Sequence, residues 1–383
     1  LFTNRNPYVI ILFVQIKRNR YERGFKMKIK SILFALMLVL STFLVACGTA
    51  EEQVEESTAT ETTEDTKVEE EITEEEKVVL EVYTTIFPLM DFAKKIGGEY
   101  VDVESIIPVG ADAHTFEPAP RTMVDVSNAD LYIYNGAGIE GFADAVAEVL
   151  KTGDVKILKA SEGIEFIDYG DGHDHGHSED DDHGHDDDGH GHSEDDDHGH
   201  EDDGHGHDHG DEDPHIWLDP IRAIQIAENI KNALVELLPE AAETFESNFE
   251  LLQEQLEELD QKFSEMVEEV SRDTIIVSHA GYGYWEDRYG IKQVGISGIS
   301  PTNEPSIRQL QETIDFANEN NINYIFFEQN IPTNIAETVR NAVDAEALWL
   351  HNLEDLVQED VDNNEDYFSL MERNIEMLRT ALQ

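Results

Sequence analysis

Four histidines stand in surroundings that could carry chemistry. His114 lies in Val109-Gly110-Ala111-Asp112-Ala113-His114-Thr115-Phe116-Glu117-Pro118, and His215 in Asp213-Pro214-His215-Ile216-Trp217-Leu218-Asp219-Pro220. His279 precedes Ala280-Gly281-Tyr282-Gly283-Tyr284, and His351 sits in Leu350-His351-Asn352-Leu353-Glu354-Asp355. The other twelve, His173, His175, His177, His183, His185, His190, His192, His198, His200, His205, His207 and His209, crowd into one stretch. A neutral imidazole serves as metal ligand or as acid and base near neutral pH. Taken singly, each of the first four has an ordinary structural or surface role as its default. Together, and with no competing constellation, His114, His215 and His279 imply one metal site in a cleft. The chain has no His-Glu-x-x-His, no pair of Cys and no Gly-x-Ser-x-Gly, so zincin, thiolate-metal and serine-hydrolase chemistry lack their residues.

Those three positions require strands to end near them. Val78–Thr85, Val101–Ile107, Leu131–Tyr134 and Lys156–Leu158 read as strands, separated by helices over Pro88–Ile96, Met123–Asn128 and Gly141–Leu150. A second set follows at Thr274–Val277, Gln293–Ile296, Asn323–Phe327 and Ala347–Leu350, with helices over Ser306–Asn318 and Ile335–Val343. Alternating strands and helices imply an α/β fold with two lobes, each built on a mainly parallel sheet. Ligands then bind at the carboxyl ends of the strands. Glu240–Val270 lies between the sets, without Gly or Pro. Phe245, Phe249, Leu252, Leu256, Leu259, Phe263 and Met266 recur at the spacing of one buried helical face. At ~1.5 Å per residue this rigid connector is about 46 Å long, enough to run past both lobes.

Charge divides the rest of the chain. The 383 residues hold 84 Asp and Glu against 26 Lys and Arg, a formal charge of −58. That balance excludes nucleic-acid binding through a basic face. Residues 1–46 are basic, with eight Lys and Arg against one Glu. Met27-Lys28-Ile29-Lys30, the apolar run to Val45 and Leu44-Val45-Ala46-Cys47 form a secretory leader over residues 27–46, ending at the only Cys. Residues 1–26 precede this better start and read as an upstream artefact. Residues 47–76 read as a disordered acidic tether. Residues 168–213 carry twenty-one acids and twelve His with no Lys or Arg. They read as a disordered loop, since so few apolar groups cannot offset chain ordering. The loop contains an exact repeat, Gly176 to His185 recurring as Gly191 to His200. Its histidines, spaced by Gly and acids, suit several weak, exchanging metal contacts rather than one tight site. The domain plan is therefore a first lobe over 77–238 with the loop inserted, a linking helix over 239–271, and a second lobe over 272–383.

The Leu-x-Ala-Cys leader, His-Thr-Phe-Glu-Pro, Asp-Pro-His-Ile-Trp-Leu-Asp-Pro, Ser-His-Ala-Gly-Tyr-Gly-Tyr and the acidic His-rich insertion together resemble the zinc-binding lipoproteins of bacterial ABC-type metal importers. The resemblance runs over about residues 78–383. It implies two lobes bridged by one long helix, with the metal between them. It maps the family's three histidine ligands onto His114, His215 and His279 and its carboxylate ligand onto Glu354, with His351, Asp355 or a water as alternatives. Glu328 matches a family position read as cleft-lining. Cys47 becomes the lipidated residue, anchoring the chain outside the plasma membrane. The implied partners are an ABC permease and its ATPase, with the carrier itself a monomer. Three imidazoles and a carboxylate form a closed four-coordinate site suited to Zn²⁺. Manganese sites lean towards oxygen, and manganese-carrying relatives commonly have a carboxylate where His279 stands. A closed set also leaves no open position for catalytic water, which implies carriage rather than an enzyme. The competing readings are a manganese or nickel homologue, a surface adhesin or metal-buffering lipoprotein, and a zinc hydrolase.

Overall fold

Short runs of β-branched and aromatic residues become strands wherever helices can cover both faces. The structure is a computed structural model, and it describes residues 78–168 and 212–383. The leader, Cys47, the tether and the twelve clustered histidines lie outside the described residues. All eight expected strands form: β1 Leu80–Thr84, β2 Val101–Ser105, β3 Leu131–Tyr134, β4 Lys156–Lys159, β5 Thr274–His279, β6 Lys292–Ser297, β7 Tyr324–Glu328 and β8 Glu346–Leu350. They make two four-stranded sheets, ordered β2-β1-β3-β4 and β6-β5-β7-β8. Every pairing between named strands is parallel. The two orders match. In each, the chain steps to one side of the first strand and then crosses to the other. The gap beside β1 and the gap beside β5 are thus the switch points where loops diverge and a ligand can enter.

The helices begin where the local chemistry starts them. Helix Pro120–Val126 starts three residues before the expected Met123, because Pro120 occupies its first turn, where a missing N–H costs nothing. Helix Pro220–Leu237 is started by Asp219, whose side chain accepts from the amides of Ile221 and Arg222. Helix Tyr367–Leu382, absent from the sequence reading, opens on a capping box between Asp366 and Ser369. The linking helix spans Ala242–Glu269, 28 residues, or about 42 Å. All seven residues of its expected apolar stripe are buried.

That stripe makes the core continuous. One cluster runs from Val82 and Ile133 of the first sheet, through Phe245 and Phe263, to Ile275, Val277 and Phe326 of the second. The opposite face of the second sheet, with Ile276, Ile325 and Phe327, packs separately against helices Ile307–Glu319 and Asn334–Val343. Phe263 stacks on Tyr289 with ring centroids 4.9 Å apart and lies 5.4 Å from Trp285. Charged groups tie the same three parts. Arg222 bridges Asp219 at 2.7 Å and Asp287 at 2.9 Å, and Arg288 reaches Asp260 of the linking helix at 2.5 Å.

Of the acidic loop expected over 168–213, Asp168, Glu212 and Asp213 are among the described residues. Asp168 and Glu212 form an isolated antiparallel bridge, and the Asp213 amide donates to the Ile167 carbonyl at 3.0 Å. Composition marked Asp213 as part of the loop, but its backbone and side chain both find partners in the fold.

Truncating Phe263 to Ala should cost about 3–5 kcal/mol, read as a lowered denaturation midpoint. Leu251→Ala on the same helix, where the side chain is 58% exposed, should stay within ~0.5 kcal/mol.

Candidate metal centre

The site assembles from three loops and the last residue of a strand, all at or beside the carboxyl ends of strands. His279 is the last residue of β5. His114 comes from the loop between β2 and helix Pro120–Val126, and Glu354 from the loop after β8. His215 sits at the head of a 3-10 turn, Ile216–Leu218. These four residues each offer one donor atom, and all four atoms lie within 4.8 Å of one another. Glu354 Oε1 is 3.5 Å from His114 Nε2, 3.4 Å from His215 Nε2 and 3.8 Å from His279 Nε2. The His215 and His279 Nε2 atoms are 3.4 Å apart. Zinc–nitrogen bonds of ~2.0–2.1 Å at tetrahedral angles put neighbouring donors ~3.3 Å apart. The spacing therefore fits a small four-coordinate dication.

Two orphaned atoms make the same point. His114 Nε2 and Glu354 Oε1 are buried without a hydrogen-bond partner. Buried polar atoms are nearly always paired, and an unpaired one needs an explanation. Both face the common centre, where a cation would satisfy them together.

Carboxylates behind the rings orient them. Asp213 Oδ1 lies 2.7 Å from His215 Nδ1. This holds the proton on Nδ1 and turns the Nε2 lone pair to the centre. Glu328 Oε2 lies 2.6 Å from His279 Nδ1. The pair falls outside hydrogen-bond angles, and both atoms are otherwise unpartnered, so Glu328 backs the ring at close contact without a hydrogen bond. The other Glu328 oxygen accepts from the Ser278 hydroxyl at 2.5 Å and the His279 amide at 3.3 Å. Glu328 is thus a support for His279, a correction to its reading as a cleft wall. Pairing of Val277 with Phe326 already aligns 279 with 328 two residues on. Two neighbouring parallel strands that each end in a polar residue were the available signal. Glu117 is exposed, and Asp219 serves as helix cap and ion-pair partner.

Electrostatics favour a cation here. Burial alone would raise the Glu354 carboxyl, but His114 and His215 beside it hold it well below the usual range. Burial disfavours the His215 imidazolium. The Asp213 carboxylate and then Glu354 outweigh that and push the ring up to about 10. In the absence of metal a proton therefore sits on His215 at neutral pH.

His351 and Asp355, the alternatives for the fourth donor, stand outside the group. His351 Nδ1 accepts from the Leu353 amide at 2.9 Å, and its Nε2 faces Asp360 at 3.1 Å, so both ring nitrogens are used. Asn374 clasps its backbone from both sides at 2.8 Å. Asp355 accepts from the Ala111 amide at 3.3 Å, with its carboxyl pushed up to about 7, chiefly by burial.

Position 281 was missed as a contributor. A Cβ there would lie 2.5 Å from His279 Nε2 and 3.3 Å from His215 Nε2. Only Gly leaves the space above the two rings open. Gly281→Ala should weaken divalent-metal binding by about 5- to 150-fold, the equivalent of about 1–3 kcal/mol of overpacking. Chelator competition on the folded variant checks it.

Comparison with known proteins places these features. The family model described as zinc-uptake complex component A, periplasmic (ZnuA) matches residues 82–381. The zinc-binding lipoprotein AdcA of Streptococcus pneumoniae is 31% identical over 300 residues, covering 78% of this chain. The match spans about half, 55%, of that relative's length. The high-affinity zinc uptake system protein ZnuA of Bacillus subtilis is 30% identical, with 79% of this chain and 88% of that protein covered. Among solved structures, the Zn(II)-bound ZnuA-like domain of S. pneumoniae AdcA superposes with a TM-score of 0.62 at 28% identity, over 79% of this chain and 99% of that one. The laminin-binding protein Lmb of Streptococcus agalactiae, described as an adhesin with metal transporting activity, gives 0.64 at 27%, over 79% and 100%.

Proposed function

The chain belongs to the zinc-uptake complex component A family, and from that premise we propose that it captures Zn²⁺ outside the cytoplasm and delivers it to an ABC permease for import. One observation carries the reading: three imidazole nitrogens and one carboxylate oxygen converge within 4.8 Å. His114, His215, His279 and Glu354 are the proposed ligands. Their chemistry is the borderline-soft nitrogen and oxygen set that zinc prefers over calcium, magnesium or manganese. Zinc is the cargo, and four protein donors complete its tetrahedron without a reactive water. That supports a carrier rather than a hydrolase.

Charge balance supports a dication. Glu354, Asp213 and Glu328 set three carboxylates against two positive charges in a buried place. Burying charge is tolerable only when it is paired in this way. Cys47 is the proposed lipid anchor and residues 47–76 the tether that holds the binding body away from the anionic surface. The twelve histidines between 173 and 209 are proposed as weak auxiliary contacts that raise the local zinc concentration beside the cleft. The permease and its ATPase are the proposed partners.

His215→Ala should weaken zinc binding by more than ~100-fold, beyond the usual effect of removing a group behind a ligand. Changing any one histidine between 173 and 209 should change it little. Deleting residues 170–210 should leave one tight site and remove the weak ones, as counted by calorimetric titration. Loss of the tight site with the deletion would move the primary site into the loop.

Proton competition sets the pH dependence. The His215 ring, at about 10 without metal, must lose its proton when zinc binds. Affinity should therefore fall as pH falls, by about tenfold per unit from this proton alone between pH 8 and 6. The linkage on folding has the opposite sense. The ring's raised value stabilises the metal-free fold fully below its unfolded value of ~6.5. That contribution fades as pH rises towards about 10. Metal-free thermal midpoints measured across this window should carry this downward component, and zinc-loaded ones should not.

A further inference from the structure

The ligand loops share a second pattern, in the backbone. The His114 amide donates to Asp112 Oδ1 at 2.9 Å. The His215 amide donates to Asp213 Oδ1 at 3.0 Å. The Glu354 amide donates to Asn352 Oδ1 at 3.2 Å. In each case an Asp or Asn accepts from the residue two positions on, the geometry of an Asx turn. The three sequences read Asp-Ala-His, Asp-Pro-His and Asn-Leu-Glu. His279 lies in a strand, and its amide instead meets Glu328 Oε1 at 3.3 Å. All four donors thus have their own N–H taken by a side-chain oxygen.

The physical reason is local. A free N–H presents positive charge, which opposes a cation and competes for the Glu354 carboxylate. A side-chain oxygen removes that competitor and fixes the direction in which the ligand side chain leaves the backbone. Helix capping accounts for the same bond at Asp219, where helix Pro220–Leu237 follows at once. No helix starts at His114 or Glu354, so capping does not account for Asp112 or Asn352. The turn before Glu354 is held especially firmly. Leu353 adopts the left-handed φ of 61°, a conformation that disfavours Leu, and its amide is held by His351. Such an outlier persists only where its surroundings over-determine it.

We infer that Asp112 and Asn352 are positioning residues, whose side-chain turns aim His114 and Glu354 at the metal. This rests on the zinc-carrier reading and adds to it two residues that touch no metal. Asp213 is the third member, but it also supports the His215 ring, so it cannot separate the two effects.

The test uses opposite charge changes at matched positions in the full chain, with zinc affinity read by chelator competition. D112N removes a negative charge and N352D adds one, yet both keep the acceptor; D112A and N352A lose it. Each Ala variant should bind zinc ~10-fold or more weakly, the range for groups behind a ligand, and each conservative variant should stay within ~3-fold of the wild type. Ala variants that bind as tightly as the wild type would overturn the inference, whatever their thermal midpoints. D112N as weak as D112A, with N352D tighter than the wild type, would overturn it in favour of charge alone. Asp112 is partly exposed, so D112A with its D112N rescue decides the matter should N352A fold poorly. A wild-type chain that takes up no zinc would sink the functional reading, and this inference with it.

Discussion

Four donor atoms drawn within 4.8 Å of one another have one requirement in common: a positive charge between them. The rest of the molecule is arranged to keep that requirement in force. Imidazole lone pairs and a carboxylate oxygen would normally turn away to water or to separate donors. Here Asp213 and Glu328 occupy the far sides of two rings, so those rings present only Nε2 to the centre. The Glu354 carbonyl accepts from the Phe87 amide at 2.9 Å, which ties its backbone to the first lobe. Three of the four donor residues are therefore constrained from behind, and the open coordination demand faces inward.

Such constraint needs a stiff frame, and the frame comes from a shared core rather than from the loops. The two sheets repeat one strand order, and both direct their carboxyl ends to the same cleft. The linking helix buries one stripe against both lobes, so that Phe263, Tyr289 and Trp285 form a single packed group. Hydrogen bonds then stitch the loops across the cleft. The Trp217 indole donates to the Asn352 carbonyl at 2.8 Å, Tyr284 donates to the Asp213 carbonyl at 2.7 Å, and Trp285 donates to the Leu218 carbonyl at 2.9 Å. Large aromatic side chains do this well, since each buries apolar area and still delivers one polar atom.

Much of this was legible in the sequence, for identifiable reasons. The stripe from Phe245 to Met266 was readable because periodicity reports burial directly, and no Gly or Pro interrupts it. The inner strands β3, β5 and β7 were readable because buried parallel strands are short apolar runs between helices. His114, His215 and His279 stood out because each follows or precedes such a run within a distinctive motif. The fourth donor was harder. His351, Glu354 and Asp355 lie within five residues on an irregular loop, and no period assigns their directions. Asp360 nearby and Asn374 and Ala111 further off in the chain decide which of them turns inward. The ends of the acidic loop were obscured in the same way, since the bridge between Asp168 and Glu212 joins residues that composition cannot distinguish from their neighbours.

The proton on His215 connects the metal-free and metal-bound forms. Glu354, Asp213 and Glu328 would repel one another if the centre held no positive charge. The imidazolium supplies one charge where a dication supplies two, and it sits between Asp213 and Glu354. The metal-free fold thus gains some stability from the very group that metal must deprotonate. That coupling tempers affinity, because every binding event removes a proton from a site that holds it strongly. A proton and a metal ion that compete for one ring nitrogen make the site weaker for metal wherever the proton is the more abundant.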